Sequence, residues 1–417
     1  MQNMKTAFLT AGLAIVGLSA CGEIIERPSG IKFGQRMTLR PYVSMSVSYD
    51  SNVEATSSTA GANEGDVLWS ISPGLSLDYR GERCALLLTG YYNYRSYTKS
   101  EFSRYNGHSF GEDLRFNWSN VDQGEKGWSL ILGESFQQYN SADEMVLDNG
   151  QNYSSDTRQF QLSGAVQRQF NERWHGNLNA AYYWLDYMND TKSEYAYYGW
   201  DRWMVGAEVG FAPSKWTDIL IDGGYMGYEQ DNLEGSQYGG SSDGYTVQAG
   251  LGSYMTERIS YRALAGWSRF NYADTGDSSD GFVYTLSGNW KIGESWNTML
   301  LASSYYQPSE RQMSTKSRVD AVSWGVAKSM VRGKLRATFD IRYRHETNEY
   351  VGNTANDLDY TLDIVTGRIG LDYSFNRFLA IFGYAEYQRS FNDHSDQHNG
   401  SYDYDRWRVT GGFRLSY

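Results

Sequence analysis

Seven arginines towards the C-terminus fall on alternating positions, and that spacing is the first chemistry the sequence offers. In "GKLRATFDIRYRH", Arg336, Asp340, Arg342 and Arg344 interleave with Leu335, Ala337, Phe339, Ile341 and Tyr343. In "GRIGLDYSF", Arg368 and Asp372 interleave with Ile369, Leu371 and Tyr373. The closing "RWRVTGGFRLSY" sets Arg406, Arg408 and Arg414 against Trp407, Val409, Phe413, Leu415 and Tyr417. Successive side chains of an extended strand point to opposite faces, so each segment has one greasy face and one charged face. Guanidinium and carboxylate groups on one face either line a water-filled space and tune which solutes cross it, or pair with one another and simply solvate an interior.

Catalytic chemistry is absent from the pattern. The five histidines are His108, His175, His345, His394 and His398, and no Ser, His and Asn arrangement stands out around them. His394 and His398, with Asp393 and Asp396 in "NDHSDQHNG", have the donor types of a transition-metal site. In a polar loop the stretch reads rather as a solvated hydrophilic tip, and the expectation is no metal, no cofactor and no enzyme activity. The acid clusters in segments such as 50–66, 272–281 and 391–405 and contributes to a net charge of −12, which disfavours nucleic acid as a partner.

The elements that must carry these faces are long strands. Aromatics make up 16% of the chain, with 35 Tyr and 13 Trp, while Gly is high at 44 and Pro low at 5. That composition suits antiparallel strands and amphipathic interface positions rather than disorder or a helical bundle. Alternation recurs in "TLRPYVSMSVSY", "WSISPGLSLDY" and "RQFQLSGAVQRQF". These runs reach roughly twice an ordinary globular strand, and a tilted strand of about 9–11 residues crosses a hydrocarbon core. Tight turns such as "FNERW", "APSKW" and "SFNRF" alternate with long polar connections. Aromatics gather near strand ends, as in "YYNYRSY" and "AYYWLDY", where headgroups satisfy both ring and polar edge.

The expected fold is all-β: a transmembrane antiparallel up-and-down barrel of about 18 strands over residues 37–417. Short turns are periplasmic and long loops extracellular. Sixteen strands stay open, because 83–98 and 376–391 are apolar on both faces. The mean hydropathy of −0.59 does not weigh against a barrel, since alternating strands look soluble on average.

The start, "MQNMKTAFLTAGLAIVGLSACGE", has Lys5 followed by an apolar run, and residues 1–21 read as a secretory signal. Leu18-Ser19-Ala20-Cys21 is similar to a lipobox, so Cys21 is a lipidation candidate; ordinary cleavage nearby is the other reading. Residues 22–36 form a periplasmic N-terminal segment. Cys84 is the only other cysteine, so the exported chain relies on hydrogen-bonded structure rather than disulfides.

The terminal strand, with Phe413, Leu415 and Tyr417 on one face, resembles the C-terminal signal by which bacterial outer-membrane barrels are handed to the barrel assembly machinery. Most such signals end in Phe; Tyr417 is a milder variant. Near the other end, "SVSYDSNVEAT" carries Tyr49-Asp50-Ser51-Asn52-Val53 after an alternating strand. It resembles the start of the putative β-barrel porin 2 family. That resemblance implies an outer-membrane barrel, linked in several members to exopolysaccharide export as its exit or as a partner of export proteins. The lipobox departs from the family pattern, and no catalytic residue is carried over.

The function expected is a porin-like pore passing hydrophilic solutes across the outer membrane of a Gram-negative-type bacterium. The charged positions Arg336, Asp340, Arg342, Arg344, Arg368, Asp372, Arg406, Arg408 and Arg414 would line it. Exopolysaccharide export is the alternative, and a surface barrel with a blocked lumen is the third reading. Outer-membrane lipid and lipopolysaccharide are the expected surroundings.

Overall fold

The computed structural model describes residues 30–53, 64–120, 126–140, 156–187, 199–214, 216–230, 241–253, 258–273, 276–308, 315–350, 360–392 and 403–417. The signal, Cys21 and the His394–His398 pair lie outside the described residues.

A three-residue strand, β1 (Ile31–Phe33), precedes eighteen long ones. These are β2 (Met37–Asp50), β3 (Asp66–Arg80), β4 (Cys84–Tyr97), β5 (Gly107–Ser119), β6 (Gly127–Asn140) and β7 (Asp156–Gln169). Next come β8 (Trp174–Tyr187), β9 (Trp200–Ser214), β10 (Thr217–Gln230), β11 (Ser241–Ser253), β12 (Ile259–Tyr272) and β13 (Ser278–Ile292). The wall is completed by β14 (Trp296–Pro308), β15 (Thr315–Met330), β16 (Leu335–Tyr350), β17 (Tyr360–Ser374), β18 (Leu379–Asn392) and β19 (Tyr404–Ser416). Each long strand pairs antiparallel with the next, and β19 pairs with β2 from Arg408↔Asp50 to Ser416↔Tyr42. The sheet therefore closes as an 18-strand barrel, and the sixteen-strand option falls away. A 3-10 turn, Ser100–Tyr105, interrupts the connection after β4, a feature the alternation gave no sign of.

The apolar faces point outward and away from water-filled space. Leu178, Ile221, Ile369 and Val47 are each more than half exposed, at 63%, 59%, 58% and 56%. A soluble protein would not leave so continuous an apolar belt bare, so lipid is the medium that covers it. At the short-turn end the belt finishes in Trp128, Trp174, Trp216, Trp290, Trp296 and Tyr417. At the long-loop end, outward rings donate to an aspartate on the next strand. The pairs are Tyr182 to Asp201 at 2.8 Å, Tyr225 to Asp243 at 3.2 Å, Trp267 Nε1 to Asp280 at 3.1 Å and Tyr343 to Asp363 at 2.5 Å. This repeated bond pins the aromatic girdle at headgroup depth. Two carboxylates interrupt the belt: Glu112 pairs across from Phe136, and Glu134 from Leu114 and Leu162.

Where β19 stops, β1 continues along the same edge of β2, from Ile31↔Leu39 to Phe33↔Met37. Between them the Tyr417 backbone N–H donates to the Pro41 carbonyl at 3.1 Å. Pro41 falls in that gap, where its missing N–H interrupts no ladder.

Candidate functional site in the barrel lumen

Register follows the alternation inward. All nine charged positions expected on the lining, Arg336 to Arg414, share the inner face of β16, β17 and β19. Phe413, Leu415 and Tyr417 lie on the outer face, 37%, 48% and 56% exposed.

One row of directly opposed residues runs Asp340, Arg368, Glu386, Arg408, Asp50 across five strands, alternating in sign. Opposite charges facing one another across strands stabilise the pairing and partly neutralise the row. Neighbouring groups pair along the strand: Arg344 Nε lies 2.5 Å from Glu346 and Arg342 Nε 3.7 Å from Asp340. Arg336 stands opposite Asp372. Arg368 lies over the Tyr384 ring at 4.0 Å, and Arg414 over Phe382 at 6.0 Å. Both arginines point inward yet are exposed, so this part of the lumen holds water. Two lumen rings lie flat because glycines leave room: a Cβ at Gly412 would meet Phe382 and one at Gly111 would meet Tyr91.

Across the lumen the wall changes character. On β9 to β12 Arg262 is held between Glu208 and Asp222, the latter at 2.6 Å, with both carboxylates buried. Gln248 is buried on β11 opposite Asp222, and small residues fill most of the surrounding inner positions. Charge is thus concentrated on one arc rather than spread evenly.

The two ends differ as well. At the outer end inward side chains are buried on strand after strand: Val319 and Leu362 are 0% exposed, Phe270 1%, Tyr97 and Tyr228 5% and Trp200 7%. Trp200 stacks on Tyr228 at 5.7 Å, with Arg202 over Tyr183 at 4.6 Å. These groups are buried in separate clusters on neighbouring strands, Tyr183, Leu185, Trp200 and Tyr228 in one and Val53, Tyr97 and Phe102 in another. Towards the periplasm many inner positions are half-buried or exposed, though Asp78 and Leu220 are buried there too.

The outer rim also contains the Tyr49–Val53 motif, to which the sequence assigned no task. Asp50 is fully buried and accepts from Arg406 Nε at 2.8 and 3.0 Å, from Arg406 Nη2, and from Arg408 Nη2 at 3.1 Å. Ser51 N–H donates to the Trp407 carbonyl at 2.9 Å, and Trp407 N–H donates to Ser51 Oγ at 2.7 Å. Asn52 Nδ2 donates to the Asp405 carbonyl at 3.2 Å. Val53 is buried with Tyr97 and Phe102, against Leu68. The motif therefore clasps the first long strand to the last. Beside it the Lys99 ammonium, hydrogen-bonded to Glu64 at 3.2 Å, holds that carboxyl below its usual range, and Glu64 in turn raises Lys99. Arg406 and Arg408, expected to line a pore, are here also structural clasps.

A closed barrel with a lipid belt, two aromatic girdles and a hydrated charged interior defines an outer-membrane β-barrel. Residues 226–415, from within β10 to the end of β19, match the family model described as Putative beta-barrel porin 2. The resemblance drawn from the sequence is borne out over that stretch, which includes the C-terminal strand though not Tyr49–Val53. The protein accordingly belongs in the outer membrane of a Gram-negative cell. No curated protein matches the chain. Among solved structures, the FrpB iron transporter from Neisseria meningitidis (F3-3 variant) is similar with a TM-score of 0.48 at 10% identity, covering 92% of this chain and 82% of that one. The outer membrane protein opdK from Pseudomonas aeruginosa has a TM-score of 0.42 at 11% identity, covering 91% and 99%. The siderophore receptor PirA from Pseudomonas aeruginosa has 0.41 at 8%, covering 94% and 81%. At these scores the likeness adds nothing to what the strand pairing itself defines.

Proposed function

We propose that the protein is a pore for hydrophilic solutes. The observation that carries this is the pair Arg368 and Arg414, inward-facing yet exposed, inside a barrel of a size that leaves an aqueous lumen. No step of catalysis enters the reading. Phe413, Leu415 and Tyr417 act as the assembly signal, and the outward belt meets outer-membrane lipid, with lipopolysaccharide at the outer girdle. Single-channel recording in a planar bilayer tests the proposal. Discrete open steps support a pore; silence at every voltage sinks it and moves function to the loops of a blocked barrel.

A second reading, an exit for exopolysaccharide working with export proteins, is what the likeness to the family model described as Putative beta-barrel porin 2 suggests. Block of open steps by oligosaccharides added on the periplasmic side, and not by salts of the same charge, would put this reading first.

A further inference from the structure

The short hairpin at the periplasmic rim does more than finish the wall. Lys32 on β1 is opposite Thr38, and Thr38 is opposite Asp78, so all three share the lumen side. Together with Arg36, Arg40 and Arg80 they line a half-open cavity of about 560 Å³ at the periplasmic rim of the lumen. Four cationic side chains and one carboxylate line it, in a chain whose net charge is −12. Asp78 accepts from Arg40 Nη1 and from Arg80 Nε, each at 3.2 Å. Arg36 lies 3.0 Å from Glu82, with both side chains largely exposed, a kind of pair that holds a guanidinium only weakly.

We propose that this cavity binds an anionic solute, one bearing carboxylate or phosphate groups, at the periplasmic entrance of the lumen. Arginine forks match both groups in shape and charge, and a cationic rim raises the local concentration of such a solute before it enters. A lipid phosphate has the same chemistry. The register argues for a solute, because the cavity faces the lumen while Ile31 and Phe33, 40% and 50% exposed, hold the opposite face of β1 towards lipid. The inference names a solute class for the pore reading and rests on it for its purpose, though not for its test.

The test is calorimetric titration of the detergent-purified barrel with citrate and, separately, inorganic pyrophosphate. The comparison is the double variant Lys32→Glu with Arg36→Glu, both on the exposed hairpin. Retention of the compact, heat-modifiable band on a gel shows that the variant is folded. Saturable binding that weakens about tenfold in the variant, and with added salt, is the expected result. No binding by the wild type, or equal binding by both, overturns the proposal. Repeating the titration in nanodiscs with and without phosphatidylglycerol separates the sources: loss of citrate binding on adding that lipid assigns the cavity to headgroups and overturns the solute assignment. Titration needs no current. A silent barrel that binds citrate defeats the pore reading alone, and a conducting barrel that binds neither anion defeats this inference alone.

Discussion

Asp50 illustrates how one side chain is held by its surroundings. It is fully buried, and three charge-assisted bonds from Arg406 plus two from Arg408 carry its charge. Removing one partner of a buried pair costs about 3–5 kcal/mol, because the other is left uncompensated. Asp50→Asn should therefore lower the temperature at which the folded band converts to the unfolded one on a gel. Adding Arg406→Gln should recover part of the loss. A single variant that melts with the wild type would show the clasp to be dispensable. Nothing short of the paired strands reveals this clasp: Tyr49–Val53 and the C-terminal strand are each legible in the sequence, but their contact joins residues 356 apart.

Individual strands show where alternation is sufficient and where it fails. Leu286 faces lipid and its neighbour Ser287 faces the lumen. Leu286→Arg should destabilise by about 2–4 kcal/mol near the bilayer centre, while Ser287→Arg, beside the Glu208–Arg262–Asp222 group, should cost little. Urea titration in liposomes distinguishes them, and equal losses would mean that the register is wrong. Glu112 and Glu134 sit on the outward face amid Phe110, Leu114, Phe136 and Leu162, where a carboxyl is costly. Glu134→Leu should raise stability in the same assay, by roughly 1 kcal/mol; a loss would mean that this face is not bare lipid contact. The strands at 83–98 and 376–391 defeat alternation for a physical reason. Inward Leu87 and Phe382 are as apolar as their outward neighbours Leu86 and Ile381, and glycine-spaced lumen positions such as Gly412 accommodate rings. The β1 hairpin escapes as well, since three residues are too few to show a period.

For the molecule as a whole, the sign of charge differs between compartments. The chain is acidic, yet on the arc from β16 to β2 arginines outnumber carboxylates, with Arg40 extending the excess towards the periplasm. A salt gradient across a bilayer holding open channels should give a reversal potential favouring chloride, and Arg368→Gln with Arg414→Gln should move it towards cation preference. Unchanged selectivity would mean that the alternating row is electrically self-contained. The buried inward groups of the outer rim have their own test: Val319→Ala with Leu362→Ala should raise open-channel conductance by widening the rim, whereas no change would place the narrowest point elsewhere. The barrel, its polarity and the charged arc are legible in residue spacing; the buried clusters of the outer rim are not, because they depend on which strands stand side by side.

The clasp at the seam has a consequence in time. Sixteen strands separate β2 from its partner β19, so Asp50 is made early and must wait until all of them have been made before Arg406 reaches it. Contacts so distant in sequence form late, after the loop between them has been ordered. Until then the sheet is an open ribbon with two raw edges and an unanswered carboxylate on one of them. The bond therefore works as a completion signal: a truncated or misregistered copy cannot form it, stays open-edged, and remains distinguishable from a finished barrel.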